Sequence, residues 1–285
     1  MGIIFGLLTA VFQAIGYTIL KKSYQELAPS VAFLFDACFG LLIWIPFALI
    51  VGFDFNHLPL VMIFALISAL LSEAFVFYVL SKGEISITGT IFSSYPIYTI
   101  LFSLFINQER LLPWHWFFVG VTILGTVIVS LPEKINRKEL KKKAIILWGV
   151  AGAMAVGLSD SLSKNVIDKT SAEAFLVALA LAQLPVALVY LKLEKQKLSQ
   201  FKNTVRQFSK YKYAIAGSFM TVVSLIFLWL AFQDTYASIA SPLTATYPGL
   251  MIILAYFFLK ERIKLKDLAG LIVIIIGIIG ISYFY

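Results

Sequence analysis

Runs of about twenty apolar residues alternate along this chain with short polar or turn-forming stretches. A hydrocarbon core about 30 Å thick needs roughly 20 helical residues, so the pattern predicts helices that cross a bilayer. Ten segments qualify, at about 2 to 20, 31 to 52, 58 to 80, 86 to 106, 114 to 131, 145 to 163, 173 to 191, 213 to 232, 237 to 259 and 267 to 285. Lys21-Lys22, the run from Pro132 to Lys143, and Lys260 to Lys266 supply some of the polar breaks. The first segment lacks a basic n-region and an obvious small-residue cleavage site, so it reads as a mature helix rather than a signal peptide. Between the seventh and eighth spans, Leu198, Phe201, Val205 and Phe208 recur at helical spacing among lysines, which predicts an amphipathic helix at the membrane surface.

The pattern also repeats. Ser86, Ile87, Tyr95, Pro96, Ile100, Phe105, Glu109 and Arg110 return 152 residues later as Ser238, Ile239, Tyr247, Pro248, Ile252, Phe257, Glu261 and Arg262, eight identities in 29 ungapped positions. A weaker match at an offset of 143 pairs Gly6, Ala10 and Lys21 with Gly149, Ala153 and Lys164. The chain therefore divides into a first repeat at 1–131, a basic linker at 132–144 and a second repeat at 145–285. Five spans per half is an odd number, so the halves are expected to enter the membrane from opposite sides. The predicted fold is an all-α integral membrane protein of ten transmembrane helices in two inverted five-helix repeats.

Composition agrees with the membrane reading. The chain is 60% apolar and 13% charged, with mean hydropathy +0.92, which leaves too little polar surface to cover a soluble globule. Of its 23 Lys and Arg, 20 fall on one side of the predicted topology, leaving Arg110, Lys164 and Lys169 on the other. By the positive-inside rule the basic side is cytoplasmic, both termini lie outside, and the location is the plasma membrane. The net charge of +8 follows from this topology and calls for no nucleic-acid partner.

The tract Ser241-Pro242-Leu243, Tyr247-Pro248, Phe257-Phe258-Leu259-Lys260-Glu261-Arg262, followed by Gly270, Gly277 and Gly280, resembles the second EamA-type repeat of the drug/metabolite transporter (DMT) superfamily. Tyr95-Pro96, Glu109-Arg110 and Gly125 form a similar version in the first half. The resemblance implies a ten-helix secondary transporter whose central cavity is lined by the first four helices of each half. It does not select among amino acids, amines, nucleosides, sugars and sugar phosphates. Many members of the family carry a basic residue early in the second helix, where this chain has Asp36. An acid there argues against an anionic substrate.

Ionisable groups inside spans are costly and mark function by default. Asp36, Glu73 and Asp160 are the three acids that lie away from loops and span ends. At 1.5 Å per residue, Asp36 and Glu73 sit at similar depth, about 8 to 11 Å below the cytoplasmic face, and so could meet. Two neighbouring carboxylates in a low dielectric cannot both be ionised, which makes Glu73, together with Asp36, a candidate for proton coupling. The alternative for Asp36 is that it bonds a neighbouring helix while protonated. Asp160 faces Lys164 at i+4, so the two could form a structural pair or part of a gate.

Gln13, Tyr17 and Lys21 form one stripe of the first span, and Asp160 corresponds to Tyr17 by the 143 offset, as cavity lining requires. Tyr17, Tyr78, Tyr95, Trp229 and Tyr247 could offer ring faces to an organic cation, although aromatics make up 15% of the chain and most must pack or face lipid. Gln183, two residues before Pro185, could bind substrate or bridge helices. Pro96 and Pro248 are expected to kink the fourth and ninth spans as hinges. The Glu-Arg pairs at 109–110 and 261–262 are assigned to interface anchoring and gating.

No HExxH, cysteine cluster or Gly-rich phosphate loop is present, so neither catalysis, a metal nor a cofactor is expected. The expected partners are a small-molecule metabolite, protons and membrane lipids, with the chain a monomer or weak homodimer. The favoured activity is proton-coupled secondary transport of an amino acid, amine or quaternary ammonium compound by alternating access. Export of neutral nucleosides, sugars or hydrophobic drugs is the alternative, and a lipid scramblase or non-transporting scaffold is more remote.

Overall fold

The computed structural model describes residues 1–20, 27–75, 94–131, 143–259 and 264–284. Tyr78, Lys21, the Glu261-Arg262 pair, most of the basic linker and the start of the predicted fourth span lie outside these residues.

The described residues fold as helices: α1 (Gly2–Leu20), α2 (Pro29–Val51), α3 (Leu58–Ser68), α4 (Tyr95–Ile106), α5 (Pro113–Ser130), α6 (Lys143–Ile167), α7 (Ala172–Leu193), α8 (Leu198–Arg206), α9 (Phe208–Asp234), α10 (Ala237–Thr244), α11 (Tyr247–Leu259) and α12 (Leu265–Phe284). A π-helical turn at Ala69–Ala74 extends α3 and carries Glu73. Among the described residues, eight helical stretches are long and apolar enough to cross a bilayer, while Leu58–Ala74 and Tyr95–Ile106 are shorter apolar helices. The protein is thus a helical, multi-pass membrane protein. Leucine, isoleucine and phenylalanine face outward from the bundle, as at Leu42, Phe105, Phe117, Phe257 and Ile279, because their surroundings are lipid rather than water. Trp114 and Trp116 stand exposed in the first turn of α5, where indole rings favour the headgroup level.

Local chemistry sets several helix ends. Pro29 opens α2, and Gly52 closes it at φ +92°, a left-handed conformation in which its N–H still reaches the Ala48 carbonyl. The Ser171 hydroxyl caps α7 by accepting from the Ala174 N–H at 3.1 Å. The amphipathic stretch forms α8, whose Phe201 ring lies 4.5 Å from that of Phe35 on α2 while Leu198 and Val205 remain exposed.

Across the bundle, α1 packs on α9, α10 and α11, α2 on α7, α4 on α6, α3 on α6, and α5 on α12. At Gly125 on α5 an added Cβ would stand 2.9 Å from the Gly270 carbonyl and 2.7 Å from the Ile274 nitrogen, so the glycine is what lets α5 and α12 touch backbone to backbone. The largest buried core lies between α2, α7 and α9 and holds Trp44, Phe175, Leu176, Leu179, Trp229 and Phe232.

The ninth predicted span departs from a kinked helix. It is broken into α10 and α11 at Ala245-Thr246, with Pro248 in the first turn after the break. Pro248 has no N–H to continue the ladder, and the break is closed locally: Ser241 O accepts from the Ala245 N–H and from Thr244 Oγ1, and Leu243 O from the Thr246 N–H and Thr246 Oγ1. Pro96 likewise stands in the first turn of α4 rather than mid-helix. Both prolines start helices here.

Candidate functional site

Where α4, α6 and α10 meet, polar side chains form a column through apolar surroundings. On α4, Thr99, Ser103 and Asn107 are four apart, and on α6 Gly157, Ser161 and Asn165 are four apart, so each helix turns one polar stripe towards the other. At Gly157 an added Cβ would lie 2.6 Å from the Thr99 nitrogen, which shows how close the two backbones run. That proximity brings short hydroxyls within reach across the interface.

Asp160 is the charged centre of the column and is 4% exposed. Thr99 Oγ1 donates to its Oδ2 at 3.0 Å, and the Ser241 hydroxyl contacts both Thr99 Oγ1 at 3.1 Å and Asp160 Oδ2 at 3.5 Å. Towards the end of α6, Ser161 and Ser103 hydroxyls meet at 2.8 Å, Asn107 Nδ2 donates to Ser161 O at 3.0 Å, and Asn165 Nδ2 donates to Asn107 Oδ1 at 3.1 Å. Towards mid-membrane, the Tyr95 hydroxyl lies 3.1 Å from Thr244 Oγ1 and within electrostatic reach of Asp160 and Tyr247. The Tyr247 ring in turn stands 5.1 Å from that of Tyr17 on α1. Tyr17 and Tyr247 are half-buried, as are Asn107 and Asn165, while Thr99, Ser103, Asp160, Ser161 and Ser241 are buried.

Four sequence candidates, Tyr17, Tyr95, Asp160 and Tyr247, therefore converge, drawn from both halves of the chain. Gln13 lies one turn before Tyr17 with its carbonyl oxygen buried and without a hydrogen-bond partner among the described residues. The Asp160–Lys164 pair does not form. Lys164 instead binds Asp168 at 2.5 Å, one turn further towards the helix end, because Asp160 is turned into α4 and α10.

Gln183 and Trp229 stand elsewhere, in the apolar core between α2, α7 and α9. Gln183 is fully buried beside Gly40, and Trp229 packs edge-on against Phe175 and Phe232 with ring centroids at 4.7 and 5.5 Å. Thr99, Ser103, Asn107, Ser161, Ser241 and Thr244 were not singled out as site residues from the sequence. Their signal was present, as small hydroxyl and amide groups at i, i+4 within apolar spans, but such residues are common in membrane helices.

A second acidic site lies near the other end of the bundle. Asp36 on α2, whose carboxyl oxygen Oδ1 is buried without a hydrogen-bond partner among the described residues, and Glu73 on the π-helical turn belong to elements that touch. Beside them a cavity of about 660 Å³ opens between α3 with its π-helical turn and α7, walled by Leu66, Leu70, Phe75, Pro185 and Val189, with Glu194 on its lining. Leu66, Leu70 and Val189 on its wall are themselves exposed, so the cavity opens onto the apolar outer surface of the bundle.

The chain matches the EamA-like transporter family over residues 1–131 and 143–283. The chain belongs to the EamA-like transporter family. Among curated relatives, an S-adenosylmethionine uptake transporter of Rickettsia conorii is 26% identical over 203 residues, spanning 69% of this chain and 63% of that protein. An uncharacterized transporter of Archaeoglobus fulgidus is 23% identical over 288 residues, spanning 97% of this chain and 96% of that one. An uncharacterized protein of Methanocaldococcus jannaschii is 30% identical over 138 residues, spanning 48% of this chain and 95% of that protein. The chain is also similar to a protein of known crystal structure, with a TM-score of 0.77 at 15% identity over 99% of this chain and 97% of that one, which is a likeness of fold. Family and relatives point to a membrane transporter rather than an enzyme.

Proposed function

We propose that this EamA-family protein is a plasma-membrane secondary transporter of a small cationic or zwitterionic metabolite, working by alternating access between two inverted five-helix repeats. The observation that carries the proposal is the position of Asp160, an acid buried at the junction of the halves with the Tyr17, Tyr95 and Tyr247 rings gathered near it. A carboxylate supplies the counter-charge and the ring faces attract an ammonium or sulfonium group. The substrate of the Rickettsia relative fits this chemistry, since S-adenosylmethionine carries a sulfonium cation and an α-amino acid.

Packing supports the repeat. Exchanging the halves turns the contact of α1 with α9 into that of α6 with α3, and the contact of α1 with α10 and α11 into that of α6 with α4. The contacts of α2 with α7 and of α5 with α12 map onto themselves. In this state the column around Asp160 closes the face that holds the N-terminus, where Gly2 packs on Thr235. The 660 Å³ cavity opens nearer the opposite, basic face. Positive-inside topology makes the closed face external, with both termini outside. Glu73 and Asp36, on touching elements of the open side, are the groups proposed to exchange a proton as the halves rock. A monomer contains every group the cycle needs.

Purified protein in liposomes, offered radiolabelled S-adenosylmethionine, choline, alanine and adenosine with and without an imposed pH difference, tests this reading. A cationic or zwitterionic solute is expected to accumulate against its gradient, and Glu73→Gln to abolish accumulation while leaving exchange intact. Movement of adenosine alone would replace the proposed substrate class with the neutral one. Normal accumulation by both Glu73→Gln and Asp36→Asn would remove proton coupling through these acids.

A further inference from the structure

The contacts that hold α10 in place include one with no part in binding a substrate. After α4 ends, Gln108 adopts φ +53°, a left-handed conformation that side chains other than glycine rarely take. That turn points Glu109 across to the second half of the chain. Its buried carboxylate accepts from the Ala237 N–H at 2.8 Å, from the Ser238 N–H at 3.0 Å and from the Ser238 hydroxyl. These residues open α10, so a negative charge sits on free backbone donors at the positive end of a helix.

α10 is no ordinary stretch of span. The break at Ala245-Thr246 separates it from α11, and it bears Ser241 and Thr244, the hydroxyls that meet Asp160 and Tyr95. Its position against α4 and α6 is therefore not dictated by the rest of its span. We infer that Glu109 is a positioning residue of the transport cycle, a latch that holds α10 against α4 and α6 while the site is shut towards the N-terminal face and lets go when the site opens there. Through the 152-residue offset Glu109 and Ser238 align with Glu261 and Ser86, so the same two residue types recur in the sequence with the halves exchanged. The inference rests on the alternating-access reading and adds the contact that sets which side is closed.

The test uses Ser241→Cys in a Cys38→Ser background, with a membrane-impermeant maleimide applied to sealed vesicles of each orientation. Glu109→Gln is expected to speed labelling from the N-terminal face at least about tenfold, a factor equal to about 1.4 kcal/mol, with little change from the other face. Ser238→Ala, which removes the hydroxyl and keeps the backbone donors, is expected to shift the rate the same way by less. Glu194→Gln removes a similar bond at the opposite end, where Glu194 Oε2 accepts from the Ser30 N–H at 3.0 Å, and is expected to leave that rate unchanged. Unchanged labelling in Glu109→Gln, or equal acceleration from both faces, overturns the latch. If Glu109→Gln does not reach the membrane, Ser238→Ala decides by the same criterion. Should the latch fail while solute uptake persists, the alternating-access reading stands without it.

Discussion

Two buried regions of this molecule contain polar side chains and treat them in opposite ways. In the column between α4, α6 and α10, Asp160, Thr99, Ser103, Ser161, Asn107 and Ser241 bond one another across helices. In the core between α2, α7 and α9, both amide atoms of Gln183 and the Trp229 indole nitrogen are buried with no hydrogen-bond partner among the described residues. Groups that bond each other can trade partners, for instance with a substrate, at small net cost, whereas an orphaned group loses nothing when neighbours move and is already carrying its desolvation penalty. The first region is suited to opening and closing. The second is suited to being a wall.

The largest separation of the two is expected at Asp160. Asp160→Ala strips the column of its charge and of the acceptor for Thr99 and Ser241, and each hydrogen bond to a charged group contributes roughly 1.5–3 kcal/mol, or about 10- to 160-fold. Uptake by Asp160→Ala is expected to fall at least about 100-fold, while Gln183→Leu keeps most of its rate. Comparable losses in both variants, measured as initial rates in the same liposomes, would erase the distinction.

Next in size is a pair of glycines. At Gly157 an added methyl meets backbone, the Thr99 nitrogen at 2.6 Å, whereas at Gly40 it meets side chains, the Trp44 ring at 2.9 Å and Gln183 Oε1 at 3.2 Å. A backbone cannot rotate away. Gly157→Ala is expected to lower stability by about 2–3 kcal/mol and Gly40→Ala by about 1 kcal/mol, read by thermal unfolding in detergent, because overpacking costs 1–3 kcal/mol according to how well a site relaxes.

Much of this was legible in advance. Apolar run length located the helices, and a 152-residue offset linked Tyr95-Pro96 to Tyr247-Pro248. Asp36, Glu73 and Asp160 stood out because charge is expensive in lipid. What failed was partner choice. Lys164 at i+4 was a sound local partner for Asp160, but the tertiary contact with α4 and α10 outweighed it and left Lys164 to Asp168. Gln183 was offered as a substrate ligand or a bridge between helices from its place two residues before Pro185, and Trp229 as a ring face for a cation, and only packing separates a polar atom that faces a cavity from one sealed in a core. The break in span nine was read as a kink, because a lone proline does not reveal whether the helix bends through it or stops and restarts, as it does at Ala245-Thr246.

A smaller effect is expected at Gln183. Replacing its amide with the similar volume of leucine removes a buried donor and acceptor that have no partners, so Gln183→Leu is expected to raise stability by about 1–2 kcal/mol, seen as a higher melting temperature. A lower melting temperature would mean that the amide is satisfied after all, by water or a bound solute, and would move Gln183 back to the site.

The smallest effect separates two tryptophans of the same core. Trp44 Nε1 donates to the Val222 carbonyl at 2.9 Å, whereas Trp229 Nε1 has no such partner among the described residues. Changing either to phenylalanine leaves a void of roughly 40 Å³, which at about 24 cal/mol per Å³ costs about 1 kcal/mol. At Trp229 that loss is offset by removing an unpaired N–H, so Trp229→Phe is expected to fall within about 0.5 kcal/mol of the native protein. At Trp44 the same change also removes the indole bond to the Val222 carbonyl, and the total rises to about 2 kcal/mol. Because both rings are almost fully buried in one cluster, the difference between the two variants isolates a single hydrogen bond from the packing around it. Equal melting shifts would show that pairing makes no difference in this core, and that the wall is held by shape alone.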